Sequence, residues 1–379
     1  MKEIKVIPPN WELVKLSELS DKLSLNKIKI KQKDYLPEGE YPIVDQGQDL
    51  IGGYSNNKKL VIPNEPPYIV FGDHTKIKKY INFHFVAGAD GVKVLKPKAH
   101  VDPKFLFYSL FTIKIEDKGY ARHFHLLEKE YFPFPPKTIQ QIIVSKIEEL
   151  FSELDKGIEN LLLAQEQLKI YRQSVLKWAF EGRLTNENVK VGELPKGWEW
   201  MKIEDVTVSL DNKRRPINKE ERKKRVGNIP YYGANGQIGW IDDYLFNEPL
   251  VCVVEDETFT GREIPFSYKI TGKTWVNNHA HVLKPTENLD IDFLNYQLFF
   301  YPFLRLTTGT TGRKKLTKGA LSNAPIKICS LVEQRNVIDE IENRVSVTDK
   351  IQQSITEGLQ KAEGLRQSIL KKAFDGNLI

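Results

Sequence analysis

One long segment of this chain occurs twice, and this repeat restricts the fold more than any other feature of the sequence. RQSVLKWAFEGRL at residues 172–184 returns as RQSILKKAFDGNL at residues 366–378, with nine of thirteen positions identical. The match extends without a gap over residues 139–180 and 333–374, at a constant offset of 194 residues. Elsewhere the two halves resemble each other faintly, with an offset that drifts. The repeated segment therefore tolerates no insertions. The rest of each half shares a common order of segments, with insertions and deletions between them.

The repeated segment has the spacing of a long helix. Its candidate core positions alternate steps of four and three residues, a 3.5-residue period. In the first copy these are Ile147, Phe151, Leu154, Ile158, Leu161, Gln165, Leu168, Arg172, Val175 and Ala179. Candidate capping boxes precede the copies at Thr138–Gln141 and Ser330–Glu333. Gly182 and Gly376 are placed to end the two helices.

A single stripe of this kind is typical of a long core helix. Two gap-free copies in one chain instead favour an intramolecular coiled coil, and roughly 40 residues would make a rod about 60 Å long. Antiparallel pairing would relate the two halves of the chain by a pseudo-two-fold axis. We also expect shared surface positions along the helices, such as Gln140/Gln334 and Lys177/Lys371.

The organisation is therefore domain, helix, domain, helix. Short apolar runs such as PPYIVFG and PLVCVVED are bounded by Gly, Pro and Asn and predict strands, with short helices near residues 103–112 and 291–300. Each domain is thus predicted to be α+β. The predicted boundaries are 1–136 for the first domain, 137–184 for the first long helix, 185–329 for the second domain and 330–379 for the second long helix.

Motifs for catalysis are missing from the sequence. No G-x-G-x-x-G follows a predicted strand, and TTGTTGRKKL (307–316) lacks the spacing of a phosphate-binding P-loop. NEPPY (64–68) is similar to the N/D-P-P-Y motif of amino-methyltransferases, but Glu65 interrupts it, and a turn before a strand is the favoured interpretation. These absences favour a chain that is not itself an enzyme.

Metal-binding patterns are equally weak. His123 and His125 have no carboxylate or thiol at metal-ligand spacing. Asp73, Glu255 and Asp256 follow predicted strands without forming a nuclease-like cluster. We therefore expect no metal site and no cofactor in this chain.

The cysteines and the hydropathy restrict the environment. Cys252 and Cys329 are too few for a disulfide framework, so a reducing cytoplasm is expected. The N-terminal residues lack the apolar core of a signal peptide, and no apolar run approaches the ~20 residues of a membrane helix. No membrane partner is expected.

Charge is concentrated in two segments, which we call the basic segments. NKRRPINKEERKKR (212–225) holds eight basic residues against two acidic ones, in a chain with a net charge of +6, and NKIKIKQK (26–33) has the matching place in the first domain. A charge run by itself is usually a solvated face. Here, however, each run precedes a loop rich in Gly, Asn and Gln, at residues 41–54 and 229–241; we call these the polar loops. A third polar and basic loop precedes each long helix, at residues 119–129 and 308–318; we call these the third loops.

Three such loops in each of two domains predict nucleic-acid binding. Lys and Arg attract phosphates without reading sequence, whereas Asn or Gln can read adenine, Arg can read guanine, and Tyr can pack on sugar or base. For Asn235 the alternative is that it only holds a turn. The candidate DNA-binding residues are Lys27, Lys29, Lys31, Gln46, Gln48, Arg122 and His123 in the first domain, and Lys213, Arg214, Arg215, Lys223, Lys224, Arg225, Tyr231, Tyr232, Asn235, Gln237, Arg313, Lys314 and Lys315 in the second.

Over essentially its whole length the chain resembles the specificity subunit of type I restriction-modification enzymes. The resemblance is carried by LPKGWEWMKIEDV, YYGANGQIGWIDD, TTGTTGRKKLT, EQRNVIDEIE and the paired RQS-LK-AF-G-L endings. It implies two α/β target-recognition domains, each followed by a long helix, with the helices paired as an antiparallel intramolecular coiled coil of pseudo-two-fold symmetry. In the first domain DQGQDLIGGY is a looser version of GANGQIGWI, so the contact residues there are less closely matched to the family.

The resemblance also implies a function. Each domain would read one half of a bipartite site in double-stranded DNA, and the helices would set the spacing and dock two modification (adenine-N6 methyltransferase) subunits. Restriction subunits with translocase and nuclease activity can join that core. The chain itself would be non-catalytic, with S-adenosylmethionine, ATP and magnesium held by partner subunits.

Two other classes of function stay open at this point. A stand-alone DNA methyltransferase or nuclease would need a cofactor loop or carboxylate cluster, which the sequence lacks. A coiled-coil scaffold whose domains bind protein or carbohydrate would leave the basic loops as plain surface. Salt-dependent DNA affinity separates the scaffold from a DNA-binding protein.

Overall fold

The structure is a computed structural model that describes residues 7–25, 28–116, 119, 121–186, 188–190, 192–257, 259–309 and 314–379. The chain forms two compact units. Unit 1 comprises Met1–Leu162 and Thr356–Ile379, and unit 2 comprises Leu163–Ile355. Each unit therefore contains one domain and parts of both long helices. In the described part of the chain, no helix has the length and apolar character needed to cross a membrane.

The described residues of the first domain form ten strands and three short α-helices. The elements are β1 Glu12–Lys15, α1 Leu16–Leu19, β2 Ser20–Lys22, β3 Lys29–Ile30, β4 Tyr41–Val44, β5 Gly53–Ser55, β6 Tyr68–Gly72, β7 Lys78–Ile81, β8 Val86–Gly88, β9 Val92–Pro97, α2 Pro103–Ser109, α3 Phe124–Leu127 and β10 Tyr131–Phe134. They form two four-stranded sheets, in the orders β2-β9-β6-β7 and β3-β8-β4-β5, and a ribbon of β1 with β10. The first long helix, α4, follows at Lys137–Phe180.

The second domain repeats this frame with added strands. Its elements are β11 Glu199–Lys202, α5 Ile203–Val206, β12 Thr207–Ser209, α6 Lys219–Lys224, β13 Ile229–Gly233, β14 Gly236–Ile241, β15 Phe246–Asn247, β16 Leu250–Val254, β17 Asp256–Glu257, β18 Ser267–Ile270, β19 Lys273–Val276, β20 Ala280–Pro285, α7 Ile291–Phe299, β21 Lys314–Lys315, α8 Lys318–Ser322 and β22 Pro325–Ile328. Its sheets run β12-β20-β16-β18 and β14-β13-β19-β15, with ribbons of β11 with β22 and β17 with β21. The second long helix, α9, spans Leu331–Phe374.

A five-residue strand in the interior of one sheet of each domain is buried along its whole length. All five residues of YIVFG in β6 and of LVCVV in β16 are buried, as expected for an apolar run flanked by strands on both sides. β6 lies between β9 and β7, and β16 lies between β20 and β18, with antiparallel pairing in each case. The predicted α+β domains are therefore confirmed, and the central strands place the same loops at the same sheet ends in both.

The long helices pair in an antiparallel sense within each unit. In unit 1 the beginning of α4, at Ile143 and Ile147, packs with the end of α9, at Ile369 and Ala373. In unit 2 the end of α4 lies in one apolar cluster with the beginning of α9, including Val175, Ala179, Val337 and Ile341. An antiparallel pair requires this exchange of beginnings and ends. The predicted helix pairing is confirmed.

An ion pair recurs at equivalent positions of the two units. Arg172 Nη2 lies 2.6 Å from Asp349 Oδ1 in unit 2. In unit 1 Arg366 pairs with Asp155. Each residue of one pair lies 194 positions from its counterpart in the other, so α4 and α9 exchange roles between the units. Each unit thus contains the same ion pair, with the roles of the two helices exchanged.

The glycine ends of the helices are confirmed. Gly182 and Gly376 have φ of +75° and +76°, the left-handed conformation that glycine adopts without steric cost. Arg183 N donates to Trp178 O at 2.9 Å and Asn377 N to Lys372 O at 2.8 Å, which satisfies carbonyls at each helix end. A Cβ on Gly182 would clash with Pro195, and one on Gly376 would clash with Pro8. Each helix thus ends directly against the first residues of a domain.

The predicted capping boxes differ in outcome. Glu333 N donates to Ser330 Oγ at 3.3 Å, so Ser330 caps α9. The first helix already begins at Lys137, which makes Thr138 a helical residue rather than the N-cap. The first box is therefore wrong, because Pro136 O accepts the hydrogen bonds of Ile139 N and Gln140 N instead.

The expectation that Gln140 and Gln334 are exposed is wrong. Both side chains are fully buried. Gln140 Oε1 accepts from Asp102 N at 2.8 Å, and Gln334 Oε1 accepts from Asp290 N at 2.7 Å, so each joins a long helix to the N-terminus of a domain helix. These glutamines recur because the same buried junction recurs. Lys177 and Lys371 are exposed.

Candidate nucleic-acid interface

The basic segment of the second domain folds as a turn followed by a short helix. Asn218 caps α6 by accepting a hydrogen bond from Glu221 N at 2.8 Å. Lys213, Arg215, Lys223 and Lys224 are exposed. Lys223 forms a surface ion pair with Glu220 at 2.9 Å, within one turn of the helix. Such pairs contribute little, so Lys223 keeps a charge that can be offered to phosphate.

Arg225 ends this segment in a different setting. Its guanidinium lies 2.7 Å from Asp242 Oδ1 and 4.6 Å from the centre of the Trp275 ring, and only 20% of its side chain is exposed. It therefore joins the basic segment to the end of β14. Its guanidinium is thus mostly covered by Asp242 and Trp275, whereas Lys223 and Lys224 are exposed.

Arg214 lies in a largely buried charged cluster. Its guanidinium donates one hydrogen bond to Glu255 Oε2 and another, of 2.7 Å, to Ala280 O. It also lies 3.3 Å from Asp211 Oδ2. Only 12% of its side chain is exposed. Arg214 thus links the basic segment to the ends of β16 and β20.

His281 completes this cluster from β20. Its Nδ1 is 2.6 Å from Asp211 Oδ2 and its Nε2 is 2.8 Å from Leu316 O. Because a carbonyl oxygen can only accept, Nε2 donates to Leu316 O, and Nδ1 lies within hydrogen-bond distance of the Asp211 carboxylate. Leu316 belongs to the third loop, so the cluster reaches that loop as well.

Three residues of this cluster are of types that also bind metal ions. Asp211, Glu255 and His281 offer atoms within 4.8 Å of one another. His281 Nε2 is used as a donor to Leu316 O, and its Nδ1 lies 2.6 Å from Asp211 Oδ2. Arg214 and Lys315 already supply positive charge to Glu255, the latter at 3.0 Å. These side chains are thus held in an ion-pair network with Arg214 and Lys315.

The charges of the cluster perturb its acids. Burial by itself raises the pKa of Asp211, but the hydrogen bond and charge of His281, the Val282 amide and Arg214 outweigh it and hold that pKa below its usual range. For Glu255, burial is outweighed by Arg214, Lys315 and His281, so its pKa is also lowered. Both acids are therefore ionised at neutral pH.

The polar loop of the second domain is the β13–β14 hairpin. Asn235 and Gln237 are exposed at its tip. Asn235 Oδ1 accepts from Arg262 Nη2 at 2.8 Å, and Gln237 Nε2 donates to Gly239 O at 3.2 Å. Both amides remain accessible, and Arg262 fixes the orientation of the Asn235 amide.

The two tyrosines of this hairpin point inward. Tyr231 is 1% exposed, beneath the guanidinium of Arg222. Tyr232 is partly buried and stacks on Tyr268 with ring centres 5.7 Å apart. Burial raises the pKa of Tyr232. Tyr231 is therefore a core residue, because it packs in an apolar cluster with Ile217, Ile241 and Trp275.

In the third loop of the second domain, Lys314 is partly buried and Lys315 is exposed. They form β21, which pairs with Asp256 and Glu257 of β17. Arg313 lies outside the described residues.

In the first domain the candidates separate in the same way. Lys29, Lys31, Gln48 and Arg122 are exposed. Gln46 is partly buried, and its Oε1 accepts from His74 N at 3.2 Å. Lys27 lies outside the described residues.

His123 is fully buried. Its Nδ1 is 3.1 Å from Asp73 O, so it donates to that carbonyl. We therefore remove three residues from the candidate interface: His123, Tyr231 and Arg214. Their side chains are largely enclosed in the domains and do not reach a duplex. The other described candidates stay predictions.

Sequence reasoning missed two residues near the Asn235 hairpin. Arg262 is not part of a basic run, so the sequence gives no signal for it. The fold brings it to Asn235. Trp240 is 57% exposed on β14. Its signal was present in the sequence, since Ile238 and Trp240 alternate with the inward positions of the strand. An exposed tryptophan beside polar tips is typical of a binding surface.

Comparisons with known proteins agree with this geometry. Residues 8–164 and 195–361 match the family model described as type I restriction modification DNA specificity domain. The type I restriction enzyme EcoDI specificity subunit of Escherichia coli is 23% identical over 416 aligned positions, covering 98% of this chain and 89% of that protein. A Haemophilus influenzae protein named as a type I restriction enzyme specificity subunit is 31% identical over 152 residues, which span 40% of this chain and 38% of that protein.

Two solved structures share the fold. One chain, from work on complex assembly and conformational transition of the type I R-M system, gives a TM-score of 0.70 at 18% identity, covering 98% of this chain and 99% of that one. The HsdS subunit from Thermoanaerobacter tengcongensis gives a TM-score of 0.62 at 18% identity, with full coverage of both chains.

The two matched segments make up most of the chain, and they coincide with two domains of the same frame. The chain therefore belongs to the family of type I restriction-modification DNA specificity subunits.

Proposed function

We propose that each domain reads one half of a bipartite site in double-stranded DNA, and that the chain performs no chemistry itself. The observation that carries this is the joining of three loops in the second domain. Arg225 ties the basic segment to the polar loop through Asp242. Glu255 ties it to the third loop, through Arg214 on one side and Lys315 on the other. The exposed lysines and the Asn235 hairpin are thereby held in one domain surface.

A salt series tests this proposal. Fluorescence anisotropy of a labelled mixed-sequence duplex would be measured with the full chain over a range of salt concentrations. Each phosphate contact contributes about 0.9 to the slope of log affinity against log salt. We expect a steep negative slope. A flat response would contradict DNA binding and favour the scaffold interpretation.

We further propose that the long helices dock two modification subunits, each a DNA methyltransferase. Apolar side chains remain exposed along both helices, which is typical of a protein interface. In unit 1 these include Leu162 and Leu365, each 50% exposed. In unit 2 they include Ile170 and Val347, each 56% exposed. A partner that binds once per half-site needs a docking surface in each unit, and exposed apolar side chains are found on the helices of both units.

Co-purification tests the docking surface. Glutamate at Ile170 and Val347 should abolish capture of a co-expressed modification subunit by unit 2, because each substitution desolvates a charge in an apolar contact. Val226 is 85% exposed in the second domain and outside the helices, so Val226→Glu is a matched control. Full capture by the Ile170→Glu/Val347→Glu variant would disprove docking at this surface.

Cofactors and restriction subunits enter the proposal through the partners. S-adenosylmethionine would be held by the modification subunits, and ATP with magnesium by restriction subunits where these join. The complex would act on chromosomal and invading DNA in the cytoplasm. Labelled S-adenosylmethionine incubated with DNA and this chain alone should give no methyl transfer; methylation would support an enzyme instead.

A further inference from the structure

A carboxylate residue follows the central buried strand of each domain, at the same structural position. Asp73 follows β6 and Glu255 follows β16. The strands before them have matching registers, since Gly72 pairs with Val92 and Val254 pairs with Ala280. The sequence alone shows only that each acid comes after a strand.

The backbone contacts of these two residues are the same in both domains. Asp73 N donates to Gly91 O at 2.6 Å, and Glu255 N donates to His279 O at 3.0 Å. Each residue also accepts a hydrogen bond at its carbonyl from the third loop. His123 N donates to Asp73 O at 2.8 Å, and Leu316 N donates to Glu255 O at 2.7 Å. One residue thus joins the central sheet to the third loop in each domain.

Their side chains reinforce this junction through a lysine or a histidine of the neighbouring strand. Asp73 Oδ2 is 3.3 Å from Lys93 Nζ in β9, and Glu255 Oε2 is 3.7 Å from His281 Nδ1 in β20. Lys93 and His281 are the second residues of equivalent strands. We call Asp73 with Lys93, and Glu255 with His281, the latch pairs.

The latch acids also hold the third loop directly. Asp73 Oδ1 accepts from Phe124 N at 2.8 Å. Glu255 Oε1 is 3.0 Å from Lys315 Nζ. Asp73 and Glu255 are 2% and 8% exposed, so their charges are largely removed from water. Removing such a charge leaves buried donors unsatisfied, which costs more than losing a surface pair.

We propose that Asp73 and Glu255 are positioning residues for the third loops, and that each sets the DNA affinity of its own domain through that loop. This rests on the proposed DNA-reading function. In the second domain Glu255 also holds Arg214 of the basic segment, so its latch controls two loops. Among the described residues of the first domain, Asp73 contacts Lys93 and the third loop, and no contact with the basic segment is seen. The latch therefore matters more for DNA binding in the second domain.

Amide substitutions test the latch in the full chain, since they keep the shape and remove the charge. Hydrogen exchange would be followed at residues 119–129 and 308–318. Glu255→Gln should speed exchange at 308–318 on the order of tenfold, because it removes a hydrogen bond to a charged group. Exchange at 119–129 should be unchanged. Asp73→Asn should give the reverse. Unchanged exchange in both variants would overturn the latch.

Matched controls remove surface ion pairs from the same domains. Glu248 pairs with Lys284 at 2.6 Å and Asp21 pairs with Lys98 at 3.9 Å. Glu248→Gln and Asp21→Asn should leave exchange in both third loops unchanged. In the first domain Lys93→Arg should keep the protection that Lys93→Met loses, because the charge is what the latch requires. Equal loss in both Lys93 variants would overturn the charge requirement.

The DNA arm separates the latch from the proposed function. Duplexes would carry the bipartite site found by methylome sequencing, with either half scrambled. Glu255→Gln should weaken binding to the half read by the second domain about tenfold or more, and Asp73→Asn the other half by less. One outcome is that Glu255→Gln speeds exchange but leaves DNA affinity unchanged, while Lys223→Ala still lowers DNA affinity. This outcome would overturn the positioning role and keep DNA binding. If the unsubstituted chain shows no salt-dependent binding to these duplexes, the proposed function fails instead.

Discussion

Asp73 and Glu255 end equivalent strands, yet they meet different cations. The first domain uses one lysine, Lys93, and one backbone amide. The second uses Arg214, His281 and Lys315 around its acid, with Asp211 as a second acid. The backbone hydrogen bonds of the two junctions are the same. Because backbone hydrogen bonds hold both junctions, the charged side chains around them can differ between the domains. Two domains of one architecture can therefore present different loops to DNA.

The strongest test of this comparison is a domain exchange. Replacing residues 1–136 with the matching domain of a relative should change one half of the methylated sequence completely and leave the other half intact. The reason is that loops differ between domains while the helix junctions, such as those at Gln140 and Gln334, recur. Methylome sequencing provides the measurement. A change in both halves, or in neither, would remove the modular interpretation.

A smaller effect should distinguish base reading from phosphate contact in the second domain. If Asn235 and Gln237 touch base edges, alanine at each should cost on the order of 1–3 kcal/mol on the cognate half-site and almost nothing on random DNA. Binding to cognate and scrambled duplexes measures this difference. Equal losses on both duplexes would mean that Asn235 only holds its turn together with Arg262.

Lys223 and Lys224 are the matched contrast. Alanine there should weaken binding to all sequences alike, and each lost contact should lower the salt slope by about 1. Arg225→Ala should behave differently, because Arg225 is engaged with Asp242 and Trp275. We expect it to lower the melting temperature as well. An Arg225→Ala protein with unchanged melting and a reduced slope would return Arg225 to the phosphate-contact set.

Acid should weaken the latch of each domain. The folded-state pKa values of Asp73 and Glu255 are lowered from 3.8 and 4.5, so the stability they contribute is full above those values and is lost as pH falls through the folded pKa. The melting-temperature difference between the native chain and Glu255→Gln should therefore shrink below about pH 4.5. A difference that is constant down to pH 3 would show that the acid contributes through shape alone.

The smallest effect concerns the repeated helix ion pair. Arg172 and Asp349 are 36% and 63% exposed, so Arg172→Asp or Asp349→Arg alone is expected to cost about 1 kcal/mol or less of unfolding free energy. The exchanged double variant Arg172→Asp/Asp349→Arg should recover most of that loss. Chemical denaturation measures the cycle. No coupling between the two positions would show that the pair does not help to set the register.

Much of the helix pair could be predicted from the sequence. The 194-residue offset carries Arg172 to Arg366 and Asp155 to Asp349, and such charges can pair in both units only if the helices run antiparallel. Gly182 and Gly376 ended the helices as expected. The error over Gln140 and Gln334 has a physical cause. A polar residue shared by two copies can be shared because it is buried at a common junction, and periodicity does not distinguish that from a common surface.

The candidate interface could be predicted only in part. The positions of the basic segments and loops follow from composition and from their order along the chain. Which side chains face water does not, since that depends on residues far away in the sequence. Arg214 is enclosed because Glu255 and Ala280 lie beside it. His123 is enclosed because Asp73 is its partner.

The sequence by itself therefore determined the long helices, their pairing and the twofold repetition of one domain frame, because hydrophobic period and charge spacing act over a few turns. Only the tertiary structure decided which basic and polar residues remain available to DNA, and which acids hold the loops that carry them. Burial and ion pairing are set by contacts between distant strands, and a charged residue looks the same in the sequence whether it meets solvent or a buried carboxylate.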